Sequence, residues 1–237
     1  MRKATALASL AALSFLGVSA STAQAQNFAG AYAGVHAGVR WDNGSVSDPA
    51  YVSNTNKDNV PALNFSLGSA SALVGGHLGY NFLPTPGVLV GVEGDFDFAR
   101  NSNSGSTSAQ FCPDNCFTVT TTSALNMGDQ GTARLRAGVI NGSTLVFATG
   151  GLAFADVSWT NTLNDGGIPF SASQDKIRTG WVIGGGFETF VGKNLIFRTE
   201  YLHEDFGSFS EPLADTSVTG TAKLKADKIR VGLSYQF

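Results

Sequence analysis

The stretch DKIRVGLSYQF, residues 227–237, decides the fold. Its odd positions, Ile229, Val231, Leu233, Tyr235 and Phe237, are apolar or aromatic, whereas Lys228, Arg230, Gly232, Ser234 and Gln236 are polar or small. A period of two is the signature of a strand with two unlike faces. A soluble domain gains little from ending on such a strand, because termini fray. A transmembrane β-barrel uses it: the odd face meets lipid, the even face lines a polar lumen, and Tyr235 and Phe237 enter the periplasmic aromatic girdle.

The amino-terminal end points to export. Arg2 and Lys3 precede an apolar run over residues 4–18, and the small-residue stretch Ala23-Gln24-Ala25 follows, which predicts a signal peptide over 1–25 and a barrel domain over 26–237. That run is too short to span a bilayer, and no later window approaches the roughly 20 apolar residues of a membrane helix. A helical membrane protein is excluded. With 15 basic and 18 acidic residues the chain carries no nucleic-acid footprint. Its 29 glycines and 17 phenylalanines, with abundant Ser, Thr and Asn, suit strands and polar loops better than helices. The two cysteines, Cys112 and Cys116 in CPDNC, predict a local disulfide across a turn of Pro113, Asp114 and Asn115 in an oxidising compartment. A metal site would want further Cys or His beside them.

Period-two runs recur along the chain. They predict strands over 30–41, 70–82, 88–99, 131–139, 144–159, 176–190, 195–204 and the terminal stretch, with the facing of the fifth left open because LVFATGGLAFA is apolar in both registers. Polar segments over 42–69, 100–127, 160–175 and 207–223 read as long loops. Between them lie short turns, of which Asn141-Gly142 is the strongest hairpin signal. Connections therefore alternate long and short. This predicts an all-β, eight-stranded, antiparallel up-and-down transmembrane β-barrel with long extracellular loops and short periplasmic turns. The loops are expected to be mobile and surface exposed, and Trp41, Trp159 and Trp181, each at the end of a strand next to a long loop, are expected to form an outer girdle.

The segments at 181–207 (WVIGGGFETFVGKNLIFRTEYLHEDFG), 145–157 (LVFATGGLAFADV) and 131–139 (GTARLRAGV) resemble the porin-family outer-membrane β-barrel domain of alpha-proteobacteria. That family is related in fold to OmpA-like and opacity-type eight-stranded barrels. The ending on Tyr-x-Phe, with Ile229, Val231, Leu233, Tyr235 and Phe237, resembles the assembly signal of bacterial outer-membrane proteins. The resemblance implies an outer-membrane location, contact with lipid and lipopolysaccharide, and delivery by the barrel-assembly machinery through the terminal strand. The family holds abundant surface antigens and some proteins reported to bind haemin, with no one shared activity. The reading is therefore a non-enzymatic surface protein that contributes to envelope integrity and offers its loops to host, ligand or partner, with no cofactor. Its rivals are a small-solute porin and a haemin-binding protein.

The chemistry-bearing residues gather on the face assigned to the lumen. Glu93, Asp95 and Asp97, Arg134 and Arg136, Glu188, Arg198 and Glu200, and Lys228 and Arg230 come from five different strands. Eight strands enclose an interior just wide enough for side chains to fill, so these charges are expected to pair across it as a plug. His36 and His77 share that face on adjacent strands and are expected to touch as ordinary hydrogen-bonded groups. His203-Glu204-Asp205, with Ser208 and Ser210 nearby, is the one cluster with the makings of a base and an orienting carboxylate, and no nucleophile elbow accompanies it.

Overall fold

The computed structural model describes residues 27–55, 57–99, 101–111, 117–165 and 167–237. The predicted signal peptide and the Cys112 and Cys116 pair lie outside the described residues. The described chain forms β1 (Gly30–Asp48), β2 (Tyr51–Val52), β3 (Asn59–Val60), β4 (Leu63–Thr85), β5 (Val88–Ala99), β6 (Asn101–Phe111), β7 (Phe117–Asn141), β8 (Thr144–Asp165), β9 (Ile168–Phe190), β10 (Leu195–Pro212) and β11 (Thr219–Gln236). All neighbours in the main sheet pair antiparallel. β5 and β6 flank Arg100 and both pair with β7, so they act as one stave; the staves are eight. The ring closes through β1 and β11, from Tyr32↔Gln236 to Ser47↔Thr221.

Short turns gather at one end. The β7–β8 hairpin closes on the pair Asn141↔Thr144, with Gly142 at a φ of 61° that a side chain would oppose. β4–β5 and β9–β10 also turn tightly at this end, where both the β1 start and the β11 finish lie.

At the other end the strands run far past the roughly 9–11 residues that cross a membrane: β7 has 25 residues and β8 has 22. The segments expected to be loops are therefore mostly strand. Above the ring the wall splits. β10 pairs with β9 only as far as Asp205↔Trp181, and β4 with β5 only as far as Leu73↔Ala99. Beyond those points β10, β11, β1 and β4 form one four-stranded sheet, and β9, β8, β7 and β6 form another. Two bulges mark the transition. Gly128 and Asp129 of β7 oppose the single Asp156, and Phe206 and Gly207 of β10 oppose the single Leu224. Gly207 takes the positive φ, 70°, that such a bulge favours.

The polarity of the two faces inverts along the same strands. In the ring the outer wall is apolar: Leu78 and Leu135 are each 68% exposed, and Val35, Val74, Phe98, Val139 and Ile183 project outward with them. Above it the apolar residues turn inward, and Val46, Leu67, Leu125, Met127, Val157, Leu163, Leu213, Ala222 and Leu224 form a buried core between the two sheets. Serine, threonine and asparagine take the outside. A wall surrounded by lipid must be apolar, and one surrounded by water need not be, so the inversion locates the upper membrane boundary. Trp159 shows the correction this forces. It is 3% exposed, donates its Nε1 hydrogen to Ser123 Oγ at 3.2 Å and packs edge-on to Phe209, whereas Trp41 and Trp181 do stand on the outer wall.

The fifth stave is now oriented. Its odd residues, Leu145, Phe147, Ala153, Ala155, Val157 and Trp159, point inward. Leu145 and Phe147 join Phe28, Leu89 and Ile196 in a second apolar cluster near the short turns. β8 passes through two apolar tiers and meets the polar tier only around Thr149, which is why its pattern looks apolar on both faces.

Candidate functional site in the barrel lumen

Between the two apolar tiers lies a belt of buried charge. Glu93 of β5 is its centre: it accepts hydrogen bonds from Tyr32 Oη at 2.6 Å, Arg136 Nη1 at 3.1 Å, Arg198 Nη1 and Nη2 at 2.6 and 2.7 Å, and from Arg134. Asp95 accepts from Thr132 at 2.6 Å, Arg134 at 2.7 Å and Arg230 at 3.1 Å. Glu200 gathers Arg134 at 3.1 Å, Arg198 at 2.9 Å and Arg230 at 2.5 Å. Glu188 stands 2.9 Å from Arg136 Nη2. Lys228 lies 2.7 Å from Asp97 and 2.8 Å from Glu204. All these side chains are buried.

The alternation of β5, β7, β10 and β11 supplies this arrangement, since residues two apart share a face. Inward glycines make room for it. A Cβ on Gly186 would stand 2.9 Å from that of Glu200, and one on Gly91 would stand 3.2 Å from Arg136 Cγ. Glu93, Asp95, Asp97, Glu188 and Glu200 each meet two or more cations and Glu204 meets Lys228, the condition under which burying charge is tolerable. Because the belt spans the lumen and apolar side chains close it on both sides, the arrangement can bear load between staves and offers little aqueous cross-section.

Two polar features stand beside the belt: Arg40, which escaped the sequence reading, and the His36–His77 contact, which was expected, though not its links to Asp97 and Ser234. Arg40 of β1 crosses the lumen to donate to the Met127 and Gly128 carbonyls at 2.8 and 2.9 Å, holding the β7 bulge, with Asp42 at 2.9 Å from its Nε. The histidines form a chain: Asp97 Oδ1 lies 2.6 Å from His36 Nε2, the two Nδ1 atoms are 3.1 Å apart, and His77 Nε2 is 2.7 Å from Ser234 Oγ. The contact of His36 with His77 was expected from their shared face on adjacent strands; the reach of Arg40 was not, since it depends on which staves face each other across the lumen.

Strand alternation pulls the 203–205 cluster apart. Glu204 points inward to Lys228, while His203 turns outward, its Nδ1 2.8 Å from Asp227 Oδ1, and Asp205 pairs with Lys225 at 2.8 Å. Ser208 is exposed, and Ser210 bonds Thr221 at 3.1 Å. His203 and Glu204 therefore lie on opposite sides of the wall, while Asp205 shares the outer face with His203 but is engaged by Lys225. Ile229, Val231, Leu233, Tyr235 and Phe237 all stand on the apolar outer wall, with the last two rings edge-on at 5.3 Å. Among the described residues no group of three or more potential metal ligands occurs.

A closed eight-stave ring with an apolar belt outside and paired charge inside is the architecture of a small outer-membrane barrel. A sequence profile of the outer membrane protein beta-barrel domain matches residues 8–237. The chain belongs to that family. It is 30% identical over 214 residues to the 31 kDa outer-membrane immunogenic protein of Brucella melitensis, covering 89% of this chain and 84% of that one. It is 28% identical over 213 residues to the 25 kDa outer-membrane immunogenic protein of Brucella abortus, covering 89% and 80%. Among solved structures, the attachment invasion locus protein Ail of Yersinia pestis aligns at a TM-score of 0.37 and 13% identity, over 88% of this chain and 100% of that one. The chain is an outer-membrane protein seated in lipid. In small outer-membrane barrels the short turns are periplasmic and the longer connections extracellular.

Proposed function

We propose that this outer-membrane β-barrel is a non-enzymatic surface protein: its ring anchors and stiffens the envelope, and its extracellular extension presents a rigid surface to host, ligand or partner. The observation that carries this is the combination of a lumen filled by paired charge with strands that continue for many residues beyond the membrane. A filled lumen speaks against the porin reading, and an extension this long supports a role for its exposed surface in recognition. The names of the Brucella relatives, immunogenic outer-membrane proteins, support surface display.

Two measurements test it. Refolded wild-type protein in a planar bilayer is expected to show no stable large conductance; a steady open channel would put the porin reading in front. Protease added to intact cells is expected to cut at the tips and to spare the ladders of β1, β4 and β7. The loop at 213–218 is one such tip, and the turn at Asn54 and Thr55 another. Efficient cleavage within 63–72 or 119–127 would contradict a rigid extension, and cleavage only after lysis would contradict the orientation.

The terminal strand supports a second assignment, recognition by the barrel-assembly machinery through Tyr235 and Phe237. Removing Phe237 is expected to lower the amount of heat-modifiable protein in the outer membrane while leaving in vitro refolding into detergent intact. Equal loss in both settings would mean that the ring aromatic serves stability alone.

A further inference from the structure

The outward face of β7 changes in side-chain size along its length. Leu135 and Val139 stand out into lipid, whereas Gly131 and Ala133, nearer the bulge, hardly rise from the wall. Their neighbours do rise. In register, Gly131 lies between Phe96 of β5 and Phe154 of β8, and a Cβ on it would stand 3.5 Å from Phe96 Cδ2. One row lower, Ala133 lies between Gly94 and Leu152, with Leu78 of β4 beyond Gly94. The small residues thus floor a notch between two phenylalanines and then between two leucines, and Leu135 ends it. Two open cavities, of about 580 and 640 Å³, follow this course.

The upper end of the notch is anionic. Asp129 and Asp156 oppose each other at the β7 bulge, where the outer wall passes from apolar to polar, and both line a further open cavity of about 490 Å³. A Cβ on Gly128 would stand 3.5 Å from Asp156 Oδ2, so that carboxylate leans over the bulge. Asp129 Oδ1 accepts from the Ala99 amide at 3.3 Å, and neither carboxylate takes part in an ion pair among the described residues. Asn126 lines the same cavity, and its Oδ1 is buried without a hydrogen-bond partner. Elsewhere at this level the outward acids are engaged: Asp205 by Lys225 at 2.8 Å and Asp227 by His203 at 2.8 Å.

We propose that this notch is a binding site for one lipid of the leaflet on the side of the extension, with an acyl chain laid over Gly131 and Ala133 and a primary ammonium headgroup at Asp129 and Asp156. It rests on the seating of the ring in lipid and is independent of what the extension recognises. The length fits. From Asp129 to Leu135 the strand advances six residues, which at a rise of about 3.4 Å and a tilt of roughly 45° covers about 15 Å along the membrane normal, half of a hydrocarbon core of roughly 30 Å. A tail in the notch covers the apolar floor that Phe96, Phe154 and Leu152 leave open, and so continues the lipid contact of the surrounding wall. An ammonium supplies both the charge and the hydrogen-bond donors that the two carboxylates lack, whereas a headgroup carrying only phosphate is repelled.

The test refolds the full barrel into nanodiscs of equal parts phosphatidylethanolamine and phosphatidylglycerol, lipids that share the phosphate and differ in the ammonium. The barrel is then moved to mild detergent and its retained lipid is read by native mass spectrometry. Wild type is expected to keep one lipid, with the ethanolamine form enriched about tenfold or more over the bulk mixture, as a charge-assisted bond predicts. Asp129→Asn combined with Asp156→Asn is expected to bring that ratio back to the bulk value. Ala133→Leu, which fills the notch on a face where Leu135 already stands, is expected to lose the retained lipid of either kind. The heat-modifiable gel shift shows that each variant has folded. No retained lipid in wild type, equal retention of the two lipids, an unchanged ratio in the double variant, or full retention in Ala133→Leu would overturn the proposal. So would retention of the glycerol lipid that depends on added calcium, which would mean bridging by a divalent cation, and so would a dimer of barrels, which would mean that a second copy covers the notch.

Discussion

Replacing Glu93 by alanine is expected to destabilise the barrel by about 3–5 kcal/mol, the cost of leaving a buried charge network unpaired. Three guanidiniums, those of Arg134, Arg136 and Arg198, converge on this carboxylate with the Tyr32 hydroxyl. Its loss removes their shared acceptor and leaves like charges facing one another in a region of low dielectric. The measurement is the urea midpoint of unfolding from lipid vesicles, read by the heat-modifiable gel shift. Glu93→Gln, which keeps the shape and two acceptor sites, is expected to fall between alanine and wild type. Conductance of Glu93→Ala belongs beside it: opening of a closed wild type would show that the belt seals the lumen. An unchanged midpoint would mean that the guanidiniums are solvated and that the belt is no structural element.

The second large effect is expected from Trp159→Ala, about 3–5 kcal/mol for truncating a buried aromatic. The loss should be local. Trp159 sits in the apolar core between the two sheets, so the extension is expected to become protease-sensitive while the ring keeps its heat-modifiable shift. Trp181→Ala, on the lipid-facing wall and 49% exposed, is expected to do far less to the extension. Simultaneous loss of ring and extension in Trp159→Ala would show that the two are one cooperative unit.

The pH response of the extension has a definite sign. Asp48 has a folded-state pKa raised by burial, so the folded chain holds that proton more tightly than the unfolded chain. Its favourable contribution is full below the unfolded carboxylate range and is lost as pH rises through the folded value. Protease resistance of the extension is therefore expected to increase on mild acidification, and Asp48→Asn to remove that dependence. A wild-type extension that weakens in acid would contradict it.

What could be read from the sequence was what obeys one rule about solvent. Within the ring, lipid outside and charge inside impose a period of two on each stave, and Val35, Leu135, Ile183 and Ile229 lie where that rule puts them. The inward set Glu93, Asp95, Arg134, Arg136, Glu188, Arg198, Glu200 and Arg230 meets in space for the same reason. The rule fails above the membrane. There the exterior is water, so Val46, Leu125, Val157 and Leu224 turn inward and the outer positions become Ser, Thr and Asn. Read under the lipid rule, such strands resemble loops. Trp159 was misplaced by the same assumption, since an aromatic near the boundary reads as girdle unless the inversion is known. The bulges at Gly128 and Gly207 added to the difficulty, for each shifts the inward parity of its strand by one residue. The trace that remained was β8, apolar in both registers because its inner face crosses apolar tiers at both ends.

The pairing of the first stave with the last governs how the barrel can be made. Gln236 bonds the carbonyls of Ala29 and Ala31, more than 200 positions away along the chain, and Tyr32 has no complete neighbour on that side until β11 arrives. Contacts of such long separation make closure slow. Until then β1 offers an unpaired edge that invites association with other chains. The newly made polypeptide must therefore be kept from its neighbours until β11 has been delivered beside β1, because the wall cannot close without it.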